Sequence, residues 1–247
     1  MESKFSLPTE TVELPSKGLL YSEDSPLASG VIEMKYMTAT EEDILTNQNY
    51  IINGTIIDKL LEALIVNKDI KVHELLIGDK NALIIAARIL SYGKDYDILH
   101  KGKKITVDLS KLNNKKVDDE ISDRKKNEFE LKLPYTDNIV KIKCLTVADE
   151  KRINEEISGN KKINKDSSTL VSSRLKHLII SVNGITEKKD IRHFVDNFLL
   201  AKDSRVIRKY YDDIAPDIDM NYSYTDEEGR EERVDVPLGV DFFWPDS

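Results

Sequence analysis

Asp217, Asp219, Asn221, Ser223, Thr225 and Glu228 occupy the first, third, fifth, seventh, ninth and twelfth places of a calcium-binding loop. The sixth place needs glycine for the sharp turn, and here it holds Tyr222. Met220, Tyr222 and Tyr224 also alternate, which sends neighbouring side chains to opposite faces of a strand instead of around an ion. The segment therefore reads as one arm of a β-hairpin. The four histidines, His73, His100, His177 and His193, announce no centre either. His73-Glu74 lacks the second histidine of a zinc-protease helix, and His177 and His193 lie on amphipathic stretches where a hydrogen-bonded structural histidine is the economical reading. No nucleophile elbow, Walker loop or dinucleotide fingerprint occurs. Cys144 is the only cysteine, so it forms no intrachain disulfide, and its strand context gives a structural thiol. The expectation is a chain that is not an enzyme and carries no metal or other cofactor.

Charge excludes further classes. The formal net charge is −8, with 33% charged and 40% hydrophobic residues, which disfavours backbone neutralisation of nucleic acid yet leaves enough apolar content for a core. Lys101, Lys103 and Lys104, and Lys161, Lys162 and Lys165, fall in turns with no interleaved aromatic platform. No stretch approaches the length of a membrane span, and the N-terminal residues show no signal-peptide pattern. A cytoplasmic product whose partners are proteins, not nucleic acid or membrane, is expected.

The elements that would position any site come in runs. Residues 1–30, holding Pro8, Pro15 and Pro26, read as an extended arm that is flexible alone and orders on binding. Residues 31–93 read as a strand followed by helices: one near 39–48 with a Thr38/Glu41 capping box, one carrying Ile56, Leu60, Leu61 and Leu64, and one capped by Asp79 and stopped by Gly93. Residues 94–146 switch to period two, with a hairpin around His100-Lys101-Gly102-Lys103, a polar loop at 113–127 expected to be mobile, and strands at 129–133 and 139–145. Residues 147–215 return to helix, with a polar break at 158–162 and a helix marked by Leu170, Leu175, Leu178, Ile179 and Val182. Residues 216–247 close the chain with a β-hairpin and an aromatic tail. The pattern predicts an α+β fold, two helical groups around a small antiparallel sheet.

The tail places Phe242, Phe243 and the only tryptophan, Trp244, near the end of the sequence. Such residues either close the chain's own core or fill a groove on a partner. Because Pro237 and Gly239 precede them, a short extended segment that reaches outward is the working expectation.

Leu14-Pro15-Ser16-Lys17-Gly18-Leu19-Leu20-Tyr21, the stretch 30–39, Glu41-Glu42-Asp43-Ile44-Leu45 and the ending Val236-Pro237 to Phe243-Trp244-Pro245 resemble the baseplate hub family of T-even-like contractile-tailed bacteriophages. The resemblance spans nearly the whole chain. It implies a structural subunit of the tail baseplate hub, found in the virion and in host cytoplasm during assembly, whose partners are other baseplate and hub proteins, with homo-oligomerisation left open. The alternative it implies is a hub-assembly chaperone absent from the finished particle. On this reading Leu14, Pro15, Lys17 and Tyr21 of the arm, with Phe242, Phe243 and Trp244, are the partner-binding residues. Some relatives carry paired cysteines in the central and C-terminal hairpins, as zinc would require; here His100-Lys101-Gly102 and Asp226-Glu227-Glu228-Gly229 occupy those turns.

Overall fold

The structure is a computed structural model and describes residues 7–115, 126–163, 169–226 and 228–243. It is an α+β fold, as the runs of period suggest, with eight α-helices and four separate antiparallel sheets among the described residues. The expected mobile loop falls mostly on 116–125, and with Trp244 it lies outside the described residues.

β1 (Thr9–Glu13) pairs antiparallel with β2 (Val31–Lys35). The arm is thus part of the folded chain, which corrects the expectation of an independent flexible segment. It reverses direction where Lys17, at φ 51°, and Gly18, at φ 77°, pack against residues 28–30; a Cβ on Gly18 would meet the Ala28 carbonyl at 2.4 Å. Leu14 and Leu27 are wholly buried behind this turn.

The first helical group is α1 (Ala39–Leu45), α2 (Gln48–Ile52), α3 (Ile56–Leu64) and α4 (Ile77–Tyr92). The helix expected at 39–48 is in fact two, because Asn47 caps a new turn by accepting from the Asn49 and Tyr50 amides. The capping box is present: Thr38 donates its N–H (2.9 Å) and its hydroxyl (2.6 Å) to Glu41. On α3, Ile56, Leu60, Leu61 and Leu64 form one buried stripe. α4 starts two residues before Asp79, whose side chain is needed elsewhere. Two hairpins finish this half: β3 (Asp95–His100) with β4 (Lys103–Asp108), and one from the far end of the chain, residues 221–235.

The second half begins with β5 (Phe129–Lys132) and β6 (Ile139–Ile142). α5 (Val147–Ile163) runs straight through the expected polar break, since polar residues on an exposed helix face do not stop a helix that has neither proline nor a left-handed cap. α6 (Leu170–Leu178) ends four residues earlier than its apolar spacing suggested, and β7 (Ile179–Val182) continues from it to form the sheet β5-β6-β7. α7 (Lys188–Asn197) and α8 (Ala201–Ile214) follow, then β8 (Asn221–Thr225) and β9 (Glu231–Asp235).

Side chains segregate into two cores instead of one central sheet. The first contains α3, α4, the β3–β4 hairpin, Val234, Val236, Phe242 and Phe243. The second contains the β5-β6-β7 sheet with Leu175, Leu178, Ile191, Val195, Ile207, Tyr211 and Ile214 of the helices. They meet where the Ile77 amide donates to the Leu145 carbonyl (3.1 Å) and the Val147 amide to the Leu75 carbonyl (2.9 Å). The arm straps both, for Leu14 enters the first core, Leu20 the second, and Tyr21 packs on each.

Acid should loosen this structure in a defined window. Burial opposes ionisation of Glu41, but Lys35 and Thr38 outweigh it and bring the carboxyl from 4.5 down to about 2. Asp149 moves downward too, as Lys143 and Thr146 override its burial. A depressed carboxyl stabilises the fold above its unfolded value and loses that contribution as pH falls through its folded one. The urea midpoint should therefore drop between pH 4.5 and about 2. Glu41→Gln should be less stable than wild type at pH 7 and converge with it near the acid end; a constant offset would refute this role.

Candidate partner-binding surface

The arm residues expected to contact a partner are placed by a buried carboxylate. Asp79, fully buried on α4, accepts from the Ser16 amide (2.9 Å), the Ser16 hydroxyl (2.7 Å) and the Tyr21 hydroxyl (2.6 Å). The Tyr21 oxygen in turn accepts from the Leu76 amide at 2.8 Å. Burial pushes the Asp79 carboxyl upward against the pull of Tyr21 and Ser16, and burial with the adjacent Asp79 pushes the Tyr21 phenol upward. Beside this latch, a Cβ on Gly78 would lie 1.9 Å from the Pro216 carbonyl, so only glycine lets α4 pass that segment.

Leu14 and Pro15 are buried and Tyr21 is tied to Asp79, so they hold the chain to itself and are not free to grip a partner. Lys17 is exposed at the turn. Phe242 and Phe243 require the same correction. Both are at most 1% exposed; Phe242 lies edge-on to Tyr96 at 4.8 Å and to Phe243 at 5.7 Å. The tail is pinned by Arg88, buried on α4, whose Nε donates to the Phe242 carbonyl (3.1 Å) while Nη1 and Nη2 donate to the Gly93 (2.9 Å) and Asp95 (3.3 Å) carbonyls. A sequence signal existed. Arg88 stands four residues after Ile84 and three after Ile85, on an apolar face where a cation must find acceptors.

The chemistry-bearing residues are likewise dispersed into structural duties. Asn221 to Thr225 form β8, so the calcium-like series alternates across a strand, with Asp217 accepting from Asn81 and Asp219 from Asn221. No group of three or more potential metal ligands occurs among the described residues. His177 and Arg192 both meet Glu156, at 3.2 and 2.7 Å. His193 contacts Asn197 at 3.0 Å. Burial, aided by Asp79, drives the Cys144 thiol up to about 12, so it stays protonated near neutrality. Native protein at pH 8 should leave Cys144 unmodified by a maleimide that labels it fully in guanidinium; rapid native labelling would contradict its burial.

The two hairpins singled out by the resemblance meet in space. Lys101 pairs with Glu232 at 2.8 Å, Tyr224 donates to Glu232 at 2.9 Å, and the rings of His100 and Tyr224 lie 6.3 Å apart. Lys101 and Tyr224 hold the Glu232 carboxyl below its ordinary value. A polar cleft of about 540 Å³ lies between the hairpin tips, also lined by Arg230, which is paired to Asp226 at 2.8 Å. An ion pair thus joins the turn of the first hairpin to strand β9 of the second.

Apolar surface gathers at one end of the second half. The amide of Tyr135 and the hydroxyl of Thr136 donate to Asp203 (3.1 and 2.8 Å), which is fully buried in the first turn of α8. The Ile139 amide donates to Asn183 (2.8 Å), and Asn183 donates to Asn138 (2.8 Å). These bonds fix the β5–β6 turn against α8 and the turn after β7. On the segments so joined, Tyr135, Ile139, Ile185, Phe198 and Leu200 are all exposed, Phe198 at 58%. Lys202 lies over the Tyr135 ring at 5.1 Å. Sequence reasoning did not read these residues as one surface, because they come from three separate segments, 135–139, 185 and 198–200, that only the fold ties together. Exposed apolar side chains on segments tied together by hydrogen bonds suit protein contact.

A family model described as T4 bacteriophage base plate protein matches residues 8–244. No curated protein and no solved structure gives a significant match.

Proposed function

The chain belongs to the T4 bacteriophage base plate protein family, and from that premise we propose that it is a non-enzymatic structural subunit of the baseplate hub, acting through protein–protein contacts. The observation that carries this reading is the corner formed by Tyr135, Ile139, Ile185, Phe198 and Leu200, held by Asp203 and Asn183 and left apolar in water. A free-standing enzyme gains nothing from such a corner, whereas a subunit that seats against neighbours gains an anchor. Partners are other baseplate proteins, met first in the host cytoplasm and then retained in the tail.

Tyr135→Glu and Phe198→Glu test the corner. Both side chains are exposed, so melting should be unchanged within experimental error. Entry into baseplates on complementation should fall by about tenfold or more, the effect of losing at least ~1.4 kcal/mol at an aromatic anchor. Wild-type assembly by both variants would remove the corner from the interface.

A further inference from the structure

Among the described residues the outer edge of β1 carries unpaired backbone groups, and we propose that it receives an extended, basic segment of a neighbouring baseplate polypeptide as an added strand. The pairing pattern decides which groups are available. The Leu14 amide donates to the Gly30 carbonyl and the Tyr36 amide to the Pro8 carbonyl, so residues 8, 10, 12 and 14 face β2. Thr9, Thr11 and Glu13 must then point their N–H and C=O groups away from β2. The opposite edge follows the same alternation: Glu33, paired with Thr11, turns its carbonyl outward to the Val66 amide at 3.0 Å, so β2 is partly covered there. On the β1 side, α4 packs close by, but no described residue hydrogen-bonds to the outward backbone groups of β1. Thr9, Thr11 and Glu13 are exposed.

An unpaired edge of this length invites strand addition unless charge, proline or a bulge blocks it. Pro8 lies just before the strand, and the register β1–β2 is unbroken from Thr9 to Glu13. Charge selects the occupant. β1 carries Glu10 and Glu13 and no basic residue, with Glu33 beside Thr9 on the paired strand at 2.6 Å. A second copy added through its own β1 would bring like glutamates together, whereas lysine or arginine on a partner strand would find opposite charges across the pair. Main-chain bonds would supply affinity, and the acidic edge would supply the choice of partner.

This inference rests on the baseplate reading, and one substitution separates the two. Thr11→Pro removes an outward N–H that β2 does not use, at an edge position where proline is tolerated; Val12→Pro removes a β1–β2 bond and serves as the destabilised control. Full-length Thr11→Pro should melt close to wild type and enter baseplates about tenfold less on complementation. Hydrogen exchange gives a second readout independent of the variant's folding. The Thr9, Thr11 and Glu13 amides of wild type should exchange fast in the free chain and about tenfold or more slowly in the partner-bound assembly. Wild-type entry by a folded Thr11→Pro, unprotected amides in the assembly, or a self-dimer that protects them in the absence of partner would each overturn the added strand and leave the baseplate reading standing. Wild-type protein that associates with no baseplate component would overturn both.

Discussion

Protein cut after Leu238 should lose its first core, not merely its partners. Phe242 and Phe243 are fully buried, and Phe242 supplies both an edge-on contact to Tyr96 and the carbonyl that takes the Arg88 Nε proton. Removing one buried phenylalanine side chain typically costs about 3–5 kcal/mol. Two together, with Arg88 left short of an acceptor in the interior, approach the whole stability of ~5–15 kcal/mol of a folded domain. The truncated chain should show lost near-ultraviolet dichroism and weakened helical signal. Full-length Phe243→Ala should melt about 10 °C below wild type, given 2–4 °C per kcal/mol in a chain of this size. An outward-reaching tail, the expectation from the sequence, would instead give a truncation that folds but fails to assemble. A truncated protein melting like the full chain would restore that view.

The second large effect comes from charging either core. Leu60 on α3 is wholly buried in the first core, and Leu178, 2% exposed at the junction of α6 and β7, lies in the second. An unpaired carboxylate at either place costs several kcal/mol, beyond the range of ordinary substitutions. The cores share the Leu75–Val147 and Ile77–Leu145 backbone bonds and the strap of residues 14–21, so damage in one should propagate to the other. Leu60→Asp and Leu178→Asp should both fail to give a cooperative melt, whereas Leu60→Met and Leu178→Met should lose less than about 1.5 kcal/mol. Cooperative melting of an aspartate variant at the wild-type temperature would disprove the assigned burial.

Much of the local structure was legible because it depends on neighbours in sequence. The stripe on α3, the Thr38–Glu41 box, and the three hairpins closed at 101–102, 134–138 and 226–230 follow from spacing and turn residues alone. What could not be read was set by distant partners. Ile179 and Val182 continue the apolar spacing of α6, yet they become strand because β6 offers an unpaired edge. Asp79 has the sequence look of a helix cap, but its partners are Ser16 and Tyr21, far back along the chain. The arm looked independent because β1 has one half-buried residue, Val12, and the rest of its attachment is backbone pairing and the Asp79 latch. The apolar corner was invisible for the same reason: Tyr135, Ile185 and Phe198 are separate until Asp203 and Asn183 fasten their loops. The hairpin clasp through Lys101 and Glu232 joins residues with no local relation at all.

Quantitative mass spectrometry of purified virions tests the central claim most directly. A structural hub subunit should appear at a fixed number of copies per particle, in constant ratio to other baseplate proteins, and should fall by about tenfold or more in particles made with the Tyr135→Glu variant. A chain that is required for baseplate formation yet absent from purified virions would contradict this account and identify an assembly chaperone instead.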